Sequence, residues 1–243
     1  MEIGLTMPIA TNFDGAMAAI NSFRSTQCRL CFYLVNNTAA RRSVAASWNL
    51  GCEVLFARGV PAVIVANDDI LCSPTAIDGL VGCWQETQVD LVSGVDLHES
   101  MPPEEILHYT GQPGYEFTPW PDFSFFLLPR TTWERVGRFD ESFLKAYFED
   151  DDYQARGTLL GLRFVGTTAA PFYHFGGRTA VNESNKGIDI YVSDSDFEAN
   201  REYFLEKWGH EPVVGNERMR QVYYPTPFND PTLPPRATPR RRA

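Results

Sequence analysis

The chain has 243 residues, 44% of them hydrophobic, and a formal net charge of −10. That length allows one large domain with a real core or two small ones, and the plentiful aromatics exclude a disordered composition. No apolar run approaches the roughly 20 residues that span a bilayer, and MEIGLTMPIA lacks a basic region followed by an apolar stretch, so the expected location is cytoplasmic.

In chain order, Ile3 to Ile9 reads as a strand. Asp14 to Thr26 has helical spacing, with Asn12 or Asp14 as its cap. Arg29 to Val35 reads as a buried strand and Arg41 to Arg58 as a helix stopped by Gly59. Val60 to Ala66 is continuously apolar, as a parallel strand covered on both faces should be. It runs into Asn67, Asp68 and Asp69. Ser73-Pro74 opens a helix reaching Glu86, with proline at a first-turn position. Val89 to Val95 is a further strand. The segment from Leu97 to Pro121 has no periodicity; its Tyr115, Phe117 and Trp120 could stack on a sugar or base. Asp122 to Leu128 reads as a strand, Thr131 to Val136 as a short helix, Glu149 to Leu160 as a helix and Arg163 to Thr168 as a strand. Ser195 to Trp208 is an amphipathic helix with Phe197, Phe204 and Trp208 as its stripe. From Tyr223 onward the chain is Pro-rich and then Arg-rich. The division expected is one domain over 1–222 and a tail over 223–243.

Alternating strands and helices predict an α/β sandwich with a mostly parallel sheet. In such sheets ligands bind beyond the carboxyl ends of the strands, where Asn67-Asp68-Asp69 falls. Carboxylates there suit a hard divalent cation, because Mg²⁺ uses one or two of them together with substrate phosphate oxygens. A turn capping the next helix is the bland alternative.

The run Glu149-Asp150-Asp151-Asp152 opens a helix. Acids in a first turn complement the helix dipole, which accounts for one or two of them. Carboxylates beside aromatic rings and other carboxylates gain proton affinity, as a general base requires. His174, followed by Gly176-Gly177, is placed to approach a metal or phosphate.

Other signals are weak or absent. The cysteines at 28, 31, 52, 72 and 83 read as structural thiols, with the CxxC at 28 and 31 inside an apolar run. Dinucleotide, P-loop and nucleophile-elbow fingerprints are missing. Four arginines lie in the last eight residues; the remaining 17 basic and 31 acidic side chains leave a body of −14, which repels polyanions.

Taken in order, these segments resemble the family 2 glycosyltransferases, with the GT-A fold. The likeness runs from about residue 2 to 210. Its most specific part is FLLPRTTWERVGRFDESFLKAYFEDDDYQARGTLLGLRF, similar to the family's strand, "vGgFDe.F" turn and "fEDxDxxxR" sequence. ASWNLGCEVLFARGVPAVIVANDDI resembles the "N.G" and "NDD" elements, and MPIATN stands where the family has a nucleotide loop.

The resemblance implies a single-domain, three-layer GT-A sandwich and metal-dependent, inverting transfer of a sugar from a nucleotide-sugar to an acceptor hydroxyl. It implies Mn²⁺ or Mg²⁺ held by Asp69 and His174, with Asp68 at the ribose or a metal-bound water. Asp150 would be the base and Glu149 its neighbour toward the acceptor. Pro8, Ala10, Thr11, Asn36, Asn49 and Arg156 would border the donor, Arg156 pairing with a carboxylate or phosphate. Asn36 and Asn37 stand where the family commonly has a base-reading Asp, which leaves UDP as the favoured nucleotide. Ser124 stands where the family has glycine. The acceptor could be a glycan, a protein, a lipid-linked sugar or, against the acidic body, a modified DNA base, with the enzyme cytoplasmic or peripheral to a membrane. The alternative from another class is a non-catalytic sugar-nucleotide or glycan-binding domain.

Overall fold

The computed structural model describes residues 1–118 and 121–212. The expected tail, the boundary before it and Trp120 lie outside those residues.

The chain starts with β1 (Glu2–Ile9), crosses through α1 (Phe13–Ser22) to β2 (Arg29–Asn36) and returns through α2 (Val44–Ala57) to β3 (Ala62–Ala66). Both crossovers join parallel neighbours, with β2 and β3 flanking β1. Next come β4 (Ile70–Cys72), α3 (Ala76–Thr87), β5 (Leu91–Asp96), α4 (Pro103–Ile106), β6 (Tyr115–Phe117) and β7 (Phe125–Pro129). The chain continues through α5 (Arg130–Val136), α6 (Glu149–Leu159), β8 (Phe164–His174) and α7 (Asp194–Trp208).

These strands form one mixed sheet in the order β2-β1-β3-β7-β5-β8-β4, with β6 beside β8. The parallel progression holds across β2-β1-β3 and between β5 and β8. It is interrupted by β7, which lies antiparallel to both β3 and β5. The reason is the excursion from 97 to 124, which brings the chain back to the carboxyl end of β3, so DFSFFLL descends where its neighbours ascend.

Helices cover both faces, as the apolar run of β3 requires. Ile64 packs on the side of α1 and α3, together with Leu5, Ala19, Ile77 and Leu80. Val63 and Val65 point the other way, toward α2, α5 and α6, with Trp48, Val136 and Tyr153. Period-two alternation along a strand sorts the two cores.

Several boundaries differ from the sequence expectation for local reasons. α1 stops at Ser22 because the following turn is claimed by Asp78, whose carboxylate accepts from the backbone N–H and hydroxyl of Thr26 at 2.9 and 2.6 Å. α2 starts only at Val44, where Ser43 caps the N–H of Ala46. β4 was not foreseen; it pairs with the end of β8. The segment 97–121 contains α4 and β6. β8 runs on to His174 through Pro171, with a register shift opposite, between Ser93 and Val95. A bulge tolerates a residue with no N–H to donate.

A smaller cluster joins α6 to α7 through Phe148, Ala155, Phe204 and Trp208. Phe197, expected in the buried stripe, is 39% exposed. Charges reinforce this contact. The Lys207 ammonium lies 2.7 Å from Asp140 Oδ2 and 2.6 Å from Asp152 Oδ1, and the Trp208 indole N–H donates to Asp152.

Candidate active site

A cavity of about 380 Å³ opens at the carboxyl ends of β1 and β3. Its walls bring together Pro8, Ala10, Asp68, Asp69, Glu149, Asp150 and His174, all expected from the sequence. They come from four separate elements: the end of β1, the turn after β3, the first turn of α6 and the end of β8.

The Asp68-Asp69 turn is held from several sides. Asn12 donates to the Asp68 carbonyl at 2.8 Å while its Oδ1 caps α1, so the loop after β1 and the acidic turn are tied together. Asp69 accepts the Arg178 N–H on Oδ2, and its Oδ1 lies 3.1 Å from His174 Nε2. The other ring nitrogen of His174 is 3.2 Å from the Ser124 hydroxyl. Burial opposes a charge on this imidazole, but Asp69, aided by Asp122 and Asp96, outweighs it and raises the His174 pKa. Asp68 is buried beside Asp69, and both effects push its carboxyl up to about 7, although Thr179 and Asn12 partly compensate.

Among the described residues no group of three or more His, Cys, Asp or Glu side chains could hold a metal ion. Asp69 and His174 instead supply one hard oxygen and one imidazole on a shared edge. That pair fits a divalent ion whose coordination is completed by a ligand's phosphate oxygens and water.

The acidic helix has an unusual start. Phe148, at its N-cap, is left-handed with φ 73° and gives no side-chain cap. The acids therefore face free N–H groups, and Asp150 Oδ1 accepts from the Asp151 N–H at 2.9 Å. Burial raises the pKa of Asp150, countered by that N–H and pushed further by Asp122. Glu149 is buried and rises well above the usual range, from burial and then from Asp150. Asp151 is pushed up to about 7 by burial and by Asp150 and Asp152, yet it does not line the cavity. Asp152 is different: it lies fully buried between Arg156, whose Nε donates at 2.9 Å, and Lys207.

Four other expected residues do not line the cavity. Asn49 is fully buried, with its amide accepting the Phe139 N–H and donating to the Phe139 carbonyl and Glu141. Arg156 is buried on Asp152 and the Val136 carbonyl. Asn36 is exposed and accepts from Thr38, while Thr11 accepts from Asn185. Asn37 lines the cavity instead, but both ends of its amide are taken by the Arg42 backbone. Tyr115 and Phe117 lie on β6, exposed and off the cavity.

The cavity also contains residues that sequence reasoning passed over: Ser47, Trp48, Asp122, Lys145 and Tyr147. The Ser47 hydroxyl and the Trp48 indole N–H are buried without a hydrogen-bond partner among the described residues. Asp122 enters the site because β7, antiparallel to β3, starts where β3 ends, a direction the sequence did not show. Trp48 had no signal either, because its helix is apolar on several sides.

No family model and no curated protein matches the sequence. Solved structures do share its fold. A point mutant of Drosophila β1,4-galactosyltransferase 7, in complex with manganese, UDP-Gal and xylobiose, is similar at TM-score 0.55 and 15% identity, covering 82% of this chain and 79% of that one. S. aureus TarS 1-349 in complex with UDP gives 0.52 at 12% identity, covering 88% and 67%. GalNAc-T7 with UDP, GalNAc and Mn²⁺ gives 0.60 at 9% identity, covering 86% of this chain and 48% of that one. The chain thus has the GT-A fold of these glycosyltransferase structures.

Proposed function

We propose that the chain is a metal-dependent, inverting glycosyltransferase of the family 2 type, with a UDP-sugar as the favoured donor and a hydroxyl as the acceptor. One observation carries this reading: the Asp69–His174 pair and the Glu149-Asp150 pair line the same cavity at the sheet's carboxyl edge. Similar folds in structures containing UDP and manganese support the choice of donor and ion.

Asp69 and His174 would hold Mn²⁺ or Mg²⁺, which supplies Lewis-acid neutralisation of a diphosphate leaving group. Pro8 and Ala10, at the end of β1, border the nucleoside, and Asp68 faces its ribose. Asp150 accepts the acceptor's proton as its oxygen attacks from the face opposite the leaving group, which inverts the anomeric centre. A raised pKa suits that task, because a base works best near the operating pH. Glu149 lies beside Asp150 and turns toward the acceptor. Asp152, Arg156 and Lys207 hold the helix that carries the base.

The test is to incubate the chain with a panel of nucleotide-sugars and Mn²⁺ and to measure release of nucleoside diphosphate. Turnover of one donor is expected. Binding of nucleotide-sugar with no release under any condition would favour the non-catalytic binding module.

A further inference from the structure

We propose that Tyr147 binds the transferred sugar, its phenol donating a hydrogen bond to a sugar hydroxyl in the space between the Asp69–His174 pair and Asp150. This inference rests on the glycosyltransferase reading and deepens it.

The first observation is backbone conformation. Lys145, Tyr147 and Phe148 have φ of 56°, 80° and 73°, and none is glycine. Left-handed backbone is costly for a bulky residue and persists only where its surroundings impose it. Here they do. The Asn200 amide donates to the carbonyls of Leu144, Ala146 and Tyr147, and the Lys145 ammonium is fixed on Asp196 and the Tyr191 carbonyl. Glycine would satisfy this backbone at no cost, yet the chain places an aromatic side chain there.

The second observation is where that side chain lies. Tyr147 lines the cavity, and its ring meets Phe197 edge-on, with centroids 5.6 Å apart. Its hydroxyl has no hydrogen-bond partner among the described residues. Burial raises its pKa, and the charges adding to that effect are Glu149, Asp69 and Asp150. The phenol is therefore protonated and within the field of all three carboxylates. It can donate, and no described residue receives.

The third step is geometric. If the diphosphate is anchored at Asp69 and His174 while Asp150 takes the acceptor's proton, the sugar's reacting carbon must lie between them. A neutral donor that senses both ends of that space faces the sugar and not the nucleoside.

The experiment uses the full chain and its Tyr147→Phe variant, which keeps the ring and removes the hydroxyl. Affinity for UDP and for the accepted UDP-sugar is measured along with turnover. Expected are UDP affinity within about twofold of the parent and a loss of about tenfold in kcat/KM for the nucleotide-sugar, the size of one lost hydrogen bond. Tyr147→Gly, which removes the ring as well as the hydroxyl, should lose more activity still. Undiminished turnover in Tyr147→Phe overturns the inference, as does an equal loss of UDP and UDP-sugar binding, which would mark a purely structural role. Failure of the unmodified chain to bind or turn over any nucleotide-sugar overturns the parent reading, and this one with it.

Discussion

His174 Nε2 and Asp69 Oδ1 lie 3.1 Å apart although 105 positions separate them in the chain. One ends β8 and the other follows β3, so only the completed sheet brings them together. Asp69→Ala and His174→Ala should each abolish the Mn²⁺ dependence of UDP binding while leaving the fold intact. Calorimetric titration of UDP with and without Mn²⁺ checks this. Metal-stimulated binding that survives both changes would place the ion elsewhere.

Asp150→Asn should lower turnover by about 10² to 10⁴-fold, the usual contribution of a general base, with UDP affinity retained. In the unmodified chain the rate should rise with pH through a value above the ordinary Asp range, because burial raises the carboxyl and only its ionised form accepts a proton. A profile already flat at pH 4 would rule Asp150 out as the base.

Without metal, the stability of the chain should fall as pH rises. Asp68 and Asp151 both titrate near 7 in the fold, against an unfolded value of 3.8. Between those values the folded state binds more protons than the unfolded one, so stability is full below pH 3.8 as far as these groups are concerned and falls as pH rises through 7. Thermal melts should therefore give a higher Tm at pH 5 than at pH 8, with Asp68→Asn narrowing the gap. A Tm that is constant or rising over this range would contradict the assignment.

Asn49 separates a structural role from a donor-binding one. Asn49→Ala strips partners from the Phe139 backbone inside the core and should cost about 2 kcal/mol or more of stability. Nucleotide affinity of the folded fraction should be unchanged. Urea unfolding and UDP titration on the same sample distinguish the two.

How much of this was legible beforehand depended on whether the signal was local. The turn at Asp68-Asp69 could be placed because an apolar strand runs straight into it, and the acids of α6 could be read as a helix start. The sheet's direction could not, because β7 takes its orientation from a long excursion with no periodicity. Among site residues, Asn49 and Arg156 are polar groups in a matching pattern, but the sequence does not say that their side chains turn inward to satisfy the core. Tyr147 was read only as an apolar neighbour raising the acids' proton affinity, because nothing local says that its side chain lines the cavity. What sets it apart is a backbone angle and the charges that surround it in space.

The fastening of α6 has a further consequence, in the order of synthesis. Asp152, inside the acidic turn, is gripped by Lys207 and Trp208, more than 50 positions downstream. As the chain leaves the ribosome, the eight strands of the described residues emerge before this clasp does. A nascent protein can thus assemble its sheet while the helix carrying the proposed base still lacks its last anchor. Competence would come as a late event, set by the docking of α7, and a message truncated near residue 200 would yield the described strands with the proposed base unsecured.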